Sequence, residues 1–173
     1  MPAALTQPGL GRPLIVTDRG LVKTGIPSRI ERLLDDAQLS HSLFDGVEPD
    51  PRVEIVHAFV AAARAGQCDG LIGIGGGSAL DIAKAASVML TNQGCIVDYV
   101  GTDLIRQAGL PKVLIPTTAG PGSEVSPIAI LSDTEAHLNK GIVSRWLYAD
   151  VAIVDPDLAL SLPPHITAYT GVD

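Results

Sequence analysis

Apolar runs alternate along most of the chain with segments of helical periodicity. The runs predict buried β-strands at residues 13–18, 43–47, 69–74, 112–116 and 152–155. Apolar positions three and four residues apart predict helices at 26–39 and 78–90, and a further helix from Pro51, since proline suits a first helical position. Strands that alternate with helices indicate an α/β fold, with a parallel sheet and helices on both of its faces.

Two later segments carry other patterns. The β-forming Ile128, Ile130 and Ile142 flank a polar stretch, which favours a hairpin. Pro163-Pro164 predicts a helix start, and the sequence stops one or two turns later without capping residues. We therefore expect an α/β domain at residues 1–161, the first turns of a helical domain at 162–173, and a chain cut from a larger protein.

Composition excludes several classes of partner. Lys and Arg number 12 against 19 Asp and Glu, a net charge of −7, which argues against nucleic acid and anionic membranes. No apolar stretch approaches the roughly 20 residues of a membrane span, and the N-terminus lacks a secretory pattern. Cys68 and Cys95 form no CxxC motif, so we expect two buried, reduced thiols in a cytoplasmic protein.

The first candidate for chemistry is the glycine-rich sequence at residues 73–78, between a predicted strand and a helix. Glycines here permit a tight turn and bring backbone N–H groups against a phosphate at a helix N-terminus. The sequence nearly matches GxGxxG, but Ser78 replaces the last glycine. A Rossmann-like phosphate site and a plain strand-to-helix turn are equally compatible with these residues.

A second candidate loop, residues 116–124, also follows a buried strand and contains two threonines and small residues. A surface loop with a helix cap at Ser123 is the alternative. The two loops together are more informative, because the carboxyl ends of parallel strands meet at one edge, where open α/β sheets bind ligands.

Three other groups of polar residues allow weaker inferences. Asp45 ends a predicted strand, where it could accept hydrogen bonds from a ribose diol or act as a turn residue before Gly46. Asp81 and Lys84 lie three apart on a helix, and we expect a solvated ion pair. The four histidines have no metal-ligand spacing.

In combination these segments resemble the iron-containing (group III) alcohol dehydrogenase family. The matching stretches are residues 44–51, 75–84, 116–125, 150–156 and 162–173, in the order of the family. The resemblance implies an N-terminal dinucleotide-binding domain followed by a helical metal domain that begins near the end of this sequence. Pro121 is a departure, since the family usually has threonine there.

The resemblance also implies a set of site residues. Those it places against NAD are Asp45, Gly76, Gly77, Ser78, Thr117, Thr118, Ser126 and Lys140. Within this set, residues 76–78 would hold the pyrophosphate, and Asp45 matches the acidic position associated with NAD rather than NADP. Asp81 would lie near the nicotinamide end as a catalytic residue. Asp173 matches the first ligand of a divalent metal, Fe²⁺ or another such as Zn²⁺.

The function that follows is NAD-dependent hydride transfer between nicotinamide and a small alcohol or aldehyde, with the metal as Lewis acid. The resemblance implies a homo-oligomer for the full-length protein, and we expect this chain alone to be inactive. Alternatives are a glycerol dehydrogenase, a dehydroquinate synthase-like member of the same superfamily, or a non-catalytic nucleotide-binding module.

Overall fold

A computed structural model describes residues 9–133, 138–160 and 162–172. The strands are β1 (Pro13–Asp18), β2 (Ser42–Val47), β3 (Gly70–Gly75), β4 (Gly101–Thr102), β5 (Lys112–Pro116), β6 (Ile128–Asp133), β7 (Leu138–Val143) and β8 (Val151–Ala152). The α-helices are α1 (Arg19–Val22), α2 (Ile26–Asp36), α3 (Val53–Ala65), α4 (Gly77–Met89) and α5 (Pro164–Thr170). Short 3₁₀ helices lie at Ile96–Tyr99, Ser123–Val125, Arg145–Leu147 and Pro156–Ala159.

The main sheet has five parallel strands in the order β2-β1-β3-β5-β8. The chain runs outward from β1 to β2 and then returns to the other side of β1 with β3. Such a reversal opens a crevice at the carboxyl ends of the two strands that flank it, here β1 and β3. A smaller sheet pairs the antiparallel hairpin of β6 and β7 with β4, which confirms the predicted hairpin.

Helices cover both faces of the main sheet, as predicted. Val16 and Leu71 point to the face where the core includes Phe59 of α3 and the small residues of α4. Ile15 and Ile72 point to the opposite face, against α2. Because the sheet is buried on both faces, its strands are continuous apolar runs rather than alternating ones.

The centre of the sheet is in close contact with α4. A Cβ at Gly73 of β3 would lie 2.9 Å from the Cβ of Ala83, closer than two carbon atoms pack. The absence of a side chain at Gly73 therefore allows α4 to lie directly on β3. All residues of α4 from Ala79 to Met89 are buried as a result.

Several predicted boundaries are wrong for identifiable reasons. Helix α3 begins at Val53 rather than Pro51, because the Pro51 carbonyl accepts a hydrogen bond from the Ser132 N–H at 2.9 Å. Helix α2 stops at Asp36, and Gln38 has a φ of 58°, outside helical geometry. Strand β8 ends at Ala152, before the Asp155 carboxylate caps the next turn at the Asp157 N–H, 3.0 Å away.

The cysteines also differ from expectation, since Cys95 is exposed and only Cys68 is partly buried. Burial, and then the charge of Asp69, raise the pKa of the Cys68 thiol, which makes it less reactive. No helix within the described ranges is long and apolar enough to cross a membrane.

Candidate functional site

A cleft of about 1030 Å³ opens at the carboxyl edge of the main sheet. Its walls come from the ends of β1, β2 and β3, from the loop after β5, from β6 and from α5. The residues that line it include Asp18, Asp45, Gly76, Gly77, Asp81 and Thr118. The cleft therefore lies at the β1/β3 crevice and joins both loops singled out in the sequence.

A glycine corner connects β3 to α4 at the centre of this cleft. Gly75 has a φ of +150°, which side chains rarely adopt, and Gly76 precedes the helix with no side-chain cap. The first N–H groups of a helix have no acceptor within it, and they carry partial positive charge. A Cβ at Gly76 would lie 3.4 Å from Thr118 Cγ2. This corner is thus a cradle for an anion, open to the loop after β5.

Asp45 lies at the rim of the cleft, near the end of β2. Its Oδ2 is 3.9 Å from Nε of Arg19, which directly follows β1. Asp18 caps α1 by accepting a hydrogen bond from the Leu21 N–H at 2.9 Å. Sequence reasoning missed Asp18, Arg19 and Gly20, although polar residues and a glycine after a buried strand are the same signal that identified the other two loops.

The two threonines after β5 have different surroundings. Thr118 lines the cleft. Thr117 is 3% exposed, and its N–H donates to the Gly75 carbonyl at 2.9 Å, which holds the ends of β3 and β5 together. Thr118 is therefore open to the cleft, whereas Thr117 is buried and links β3 to β5, so contact of either threonine with a cofactor stays a prediction.

Asp81 and Lys84 are not the solvated pair that their spacing indicated. Asp81 Oδ1 lies 2.9 Å from Lys84 Nζ, and the lysine side chain is fully buried. The second oxygen of Asp81 accepts a hydrogen bond from the Ile130 N–H at 3.0 Å. Burial lowers the pKa of Lys84, and the neighbouring Asp81 partly opposes that shift. The prediction was wrong because β6 covers this face of α4.

The remaining predicted cofactor residues lie outside the cleft lining, except Ser78, which is part of it. Ser126 Oγ accepts a hydrogen bond from Lys84 Nζ at 3.4 Å. Lys140 Nζ lies 2.5 Å from Asp133 Oδ2 across the hairpin. Contact with a cofactor stays a prediction for these two residues, as it does for every other residue of the predicted set.

The predicted metal ligand Asp173 lies outside the described residues. Within the ranges that the structure covers, no three His, Cys, Asp or Glu side chains come together as a metal site. The last helix, α5, contributes Ile166 and Thr170 to the cleft wall. A Cβ at Gly120 would lie 2.8 Å from the Thr170 carbonyl oxygen, so the loop after β5 packs directly on α5.

Comparison with known proteins is consistent with this geometry. Residues 1–156 match the sequence model of the iron-containing alcohol dehydrogenases. The chain is 45% identical over 164 residues to the long-chain-alcohol dehydrogenase 1 of Geobacillus thermodenitrificans. It is 44% identical over 159 residues to the sulfoacetaldehyde reductase of Bilophila wadsworthia. Each alignment covers 92% of this chain and 41% of the relative, so the chain spans about two fifths of their length.

A solved structure shows the same arrangement of elements. The sulfoacetaldehyde reductase of Bifidobacterium kashiwanohense, in complex with NAD⁺, superposes with a TM-score of 0.88 at 36% identity. The superposition covers 99% of this chain and 47% of that one. The similarity therefore extends over both the sheet and the cleft at its edge.

Proposed function

Because the chain belongs to the iron-containing alcohol dehydrogenase family, we propose that it forms the dinucleotide-binding region of an NAD-dependent alcohol dehydrogenase. The reaction would pass a hydride between nicotinamide and a small alcohol or aldehyde. The observation that carries this proposal is the glycine corner at the β1/β3 crevice, with the Asp45 carboxylate at the rim of the same cleft.

The residues of the cleft fit a dinucleotide in size and chemistry. A volume of about 1030 Å³ is at the upper end of ordinary ligand pockets, as an extended two-part ligand requires. The backbone at Gly76 and Gly77 offers N–H groups and space for a pyrophosphate at the N-terminus of α4. Asp45 offers an acceptor for the hydroxyls of a ribose and a negative charge against an additional phosphate.

These residues bind and orient rather than react. The N–H groups at residues 76–78 and the α4 dipole would neutralise the pyrophosphate and set its position along the cleft. Thr118 faces the same space and can donate its hydroxyl. Bound NAD supplies the nicotinamide carbon that accepts or donates the hydride. In this scheme Asp81, the predicted catalytic residue, would lie near the nicotinamide end, with its carboxylate paired to the buried Lys84.

The described residues do not assemble a metal site by themselves. Asp173 stays a proposed ligand of Fe²⁺ or Zn²⁺, on the basis of the family resemblance alone. The domain boundary after residue 161 and a homo-oligomeric assembly of the full-length protein are proposals on the same basis.

Titration of the 173-residue chain with NADH and, separately, NADPH tests the proposal. We expect saturable NADH binding by calorimetry and by a change in NADH fluorescence, with NADPH much weaker. Circular dichroism of the same sample establishes that the chain is folded. A folded chain that binds neither nucleotide would contradict the dinucleotide assignment of this cleft.

A further inference from the structure

Lys84 is a fully buried lysine in the second turn of α4, and its ammonium contacts the segment that follows the second loop. Nζ donates to the Ser123 carbonyl at 2.9 Å and to the Ile128 carbonyl, and it lies 2.9 Å from Asp81 Oδ1. Ser126 Oγ is a more distant acceptor at 3.4 Å. A buried ammonium is stable only when its charge and its three N–H groups are matched. Here the Asp81 carboxylate matches the charge, and the carbonyls of Ser123 and Ile128 with the Ser126 hydroxyl accept the N–H groups.

The partners of Lys84 and Asp81 belong to one wall of the cleft. Lys84 holds the carbonyls of Ser123 and Ile128, while Asp81 holds the N–H of Ile130 at 3.0 Å. Ser123, Ile130 and Asp81 themselves line the cleft. Two side chains of one helix thus bind residues 123–130 at both ends of that segment.

The same helix also carries the glycine corner. Gly77 and Ser78 form the first turn of α4, and Asp81 and Lys84 follow within the next two turns. A single rigid element therefore connects the phosphate end of the cleft with the wall at residues 123–130. The proposed function places the pyrophosphate at residues 76–78 and the adenosine ribose at Asp45. The nicotinamide nucleotide would then lie against the wall at residues 123–130.

We propose that Lys84 is a positioning residue for the nicotinamide half of the dinucleotide, acting through the wall at residues 123–130. This inference rests on the proposed function for the identity of the ligand. Lys84 itself lies behind the wall and has no place in the cleft lining. Its effect on binding is indirect, through the positions of Ser123 and Ile130.

Lys112 offers a matched control. It is also buried, its pKa is also lowered by burial, and its Nζ pairs with an aspartate, Asp150, at 3.7 Å. Lys112 lies at the first residue of β5, at the opposite end of the strand from the cleft. Lys112→Met therefore also removes a buried cation that pairs with an aspartate, but one whose side-chain partner is Asp150 rather than residues 123–130.

The experiment compares Lys84→Met with Lys112→Met in the full 173-residue chain. We expect Lys84→Met to raise the Kd for NADH about tenfold while the Kd for ADP, which lacks the nicotinamide half, changes less than about twofold. Lys112→Met should leave both constants near those of the parent. A general loss of structure would weaken the binding of ADP as much as that of NADH. The ratio of the two Kd values therefore distinguishes an effect on nicotinamide positioning from an effect on folding.

Hydrogen exchange provides a second readout that needs no nucleotide. In Lys84→Met the amides at residues 123–130 should exchange about tenfold faster, and in Lys112→Met they should not. If the parent binds no NADH, the proposed function fails while the exchange still decides whether Lys84 holds this wall. Unchanged exchange, or an unchanged Kd for NADH in a parent that binds it, would overturn the inference.

Lys84→Met leaves Asp81 as a buried carboxylate without its cation, which can prevent folding. The double variant Asp81→Asn/Lys84→Met removes both charges and keeps an amide oxygen for the Ile130 N–H. We expect this variant to fold and still to show faster exchange at Ser123–Val125 and weaker NADH binding. Parent-like exchange and NADH affinity in the folded double variant would refute the role of Lys84.

Discussion

The Asp45 carboxylate lies 3.9 Å from Nε of Arg19, and the two residues come from the ends of neighbouring parallel strands. Their side chains are 46% and 81% exposed, so the ion pair itself contributes little to stability. The pair matters for ligands, because it places one acceptor and one cation at the rim where a ribose would bind. In the proposed scheme Asp45 would repel an additional phosphate on that ribose, and Arg19 would attract it.

Replacement of this carboxylate should change the nucleotide preference. We expect Asp45→Asn to strengthen NADPH binding about tenfold and to weaken NADH binding, since Arg19 would then be free to pair with the phosphate. Parallel calorimetric titrations measure both constants, and Arg19→Ala in the same background should abolish the gain. Asp50→Asn removes a charge from the same cleft without freeing Arg19. An equal gain in NADPH affinity in that variant would show that the nucleotide preference depends only on the net charge of the cleft.

A methyl group at the glycine corner should block the ligand and spare the fold. Gly76 has a φ of −77° and a ψ of −176°, which alanine adopts readily, and its Cβ would point toward Thr118. We expect Gly76→Ala to change the free energy of unfolding by less than about 1 kcal/mol. NADH affinity should fall about tenfold or more. Gly141→Ala, where a Cβ meets nothing within 4 Å, is the control. Parent-like NADH binding by Gly76→Ala would argue against the cradle.

The contact between α3 and β2 should dominate the stability of that part of the core. Phe59 is fully buried, and its ring meets that of Phe44 edge to face at 5.2 Å. Phe59→Ala should reduce the free energy of unfolding by about 3–5 kcal/mol, because the cavity cannot close completely. Leu43 lies next to Phe44 in β2 but is exposed, so Leu43→Ala should reduce the free energy of unfolding by only about 0.5 kcal/mol. Urea denaturation compares the two, and similar losses would contradict this packing.

Lysine burial should make stability depend on pH in the alkaline range. Burial lowers the pKa of Lys84 from 10.5, so between the lowered value and 10.5 the unfolded chain binds more protons than the folded one. The free energy of unfolding contributed by this group therefore rises with pH across that window. Urea midpoints measured at alkaline pH below 10.5 should rise with pH less steeply in Lys84→Met than in the parent.

The exposed Lys23 provides the comparison for that measurement. Its side chain is in water in both the folded and the unfolded chain, so Lys23→Met should keep the parental slope. A Lys84→Met slope equal to that of Lys23→Met would show that burial of Lys84 does not couple folding to protonation.

Local sequence was sufficient for the fully buried strands β3 and β5 and for the glycine corner, but not for the two-residue strands β4 and β8. Strand β3 is buried at every position, and a strand enclosed on both faces has to be apolar throughout, which is visible without knowledge of its neighbours. The turn at residues 75–77 is likewise determined by the need for a φ near +150° and for a backbone free of side chains. Both are properties of a few consecutive residues.

Tertiary structure alone decided the surroundings of Lys84 and the position of Arg19. The Lys84 ammonium bonds a carbonyl 44 residues away, and spacing along a helix does not reveal which element covers that face. Arg19 is at the cleft because β1 lies between β2 and β3, a strand order that no local pattern specifies. The spacing of apolar positions along a segment indicates which of its faces are buried. The partner of a buried charge, in contrast, depends on packing between segments that are distant in the chain.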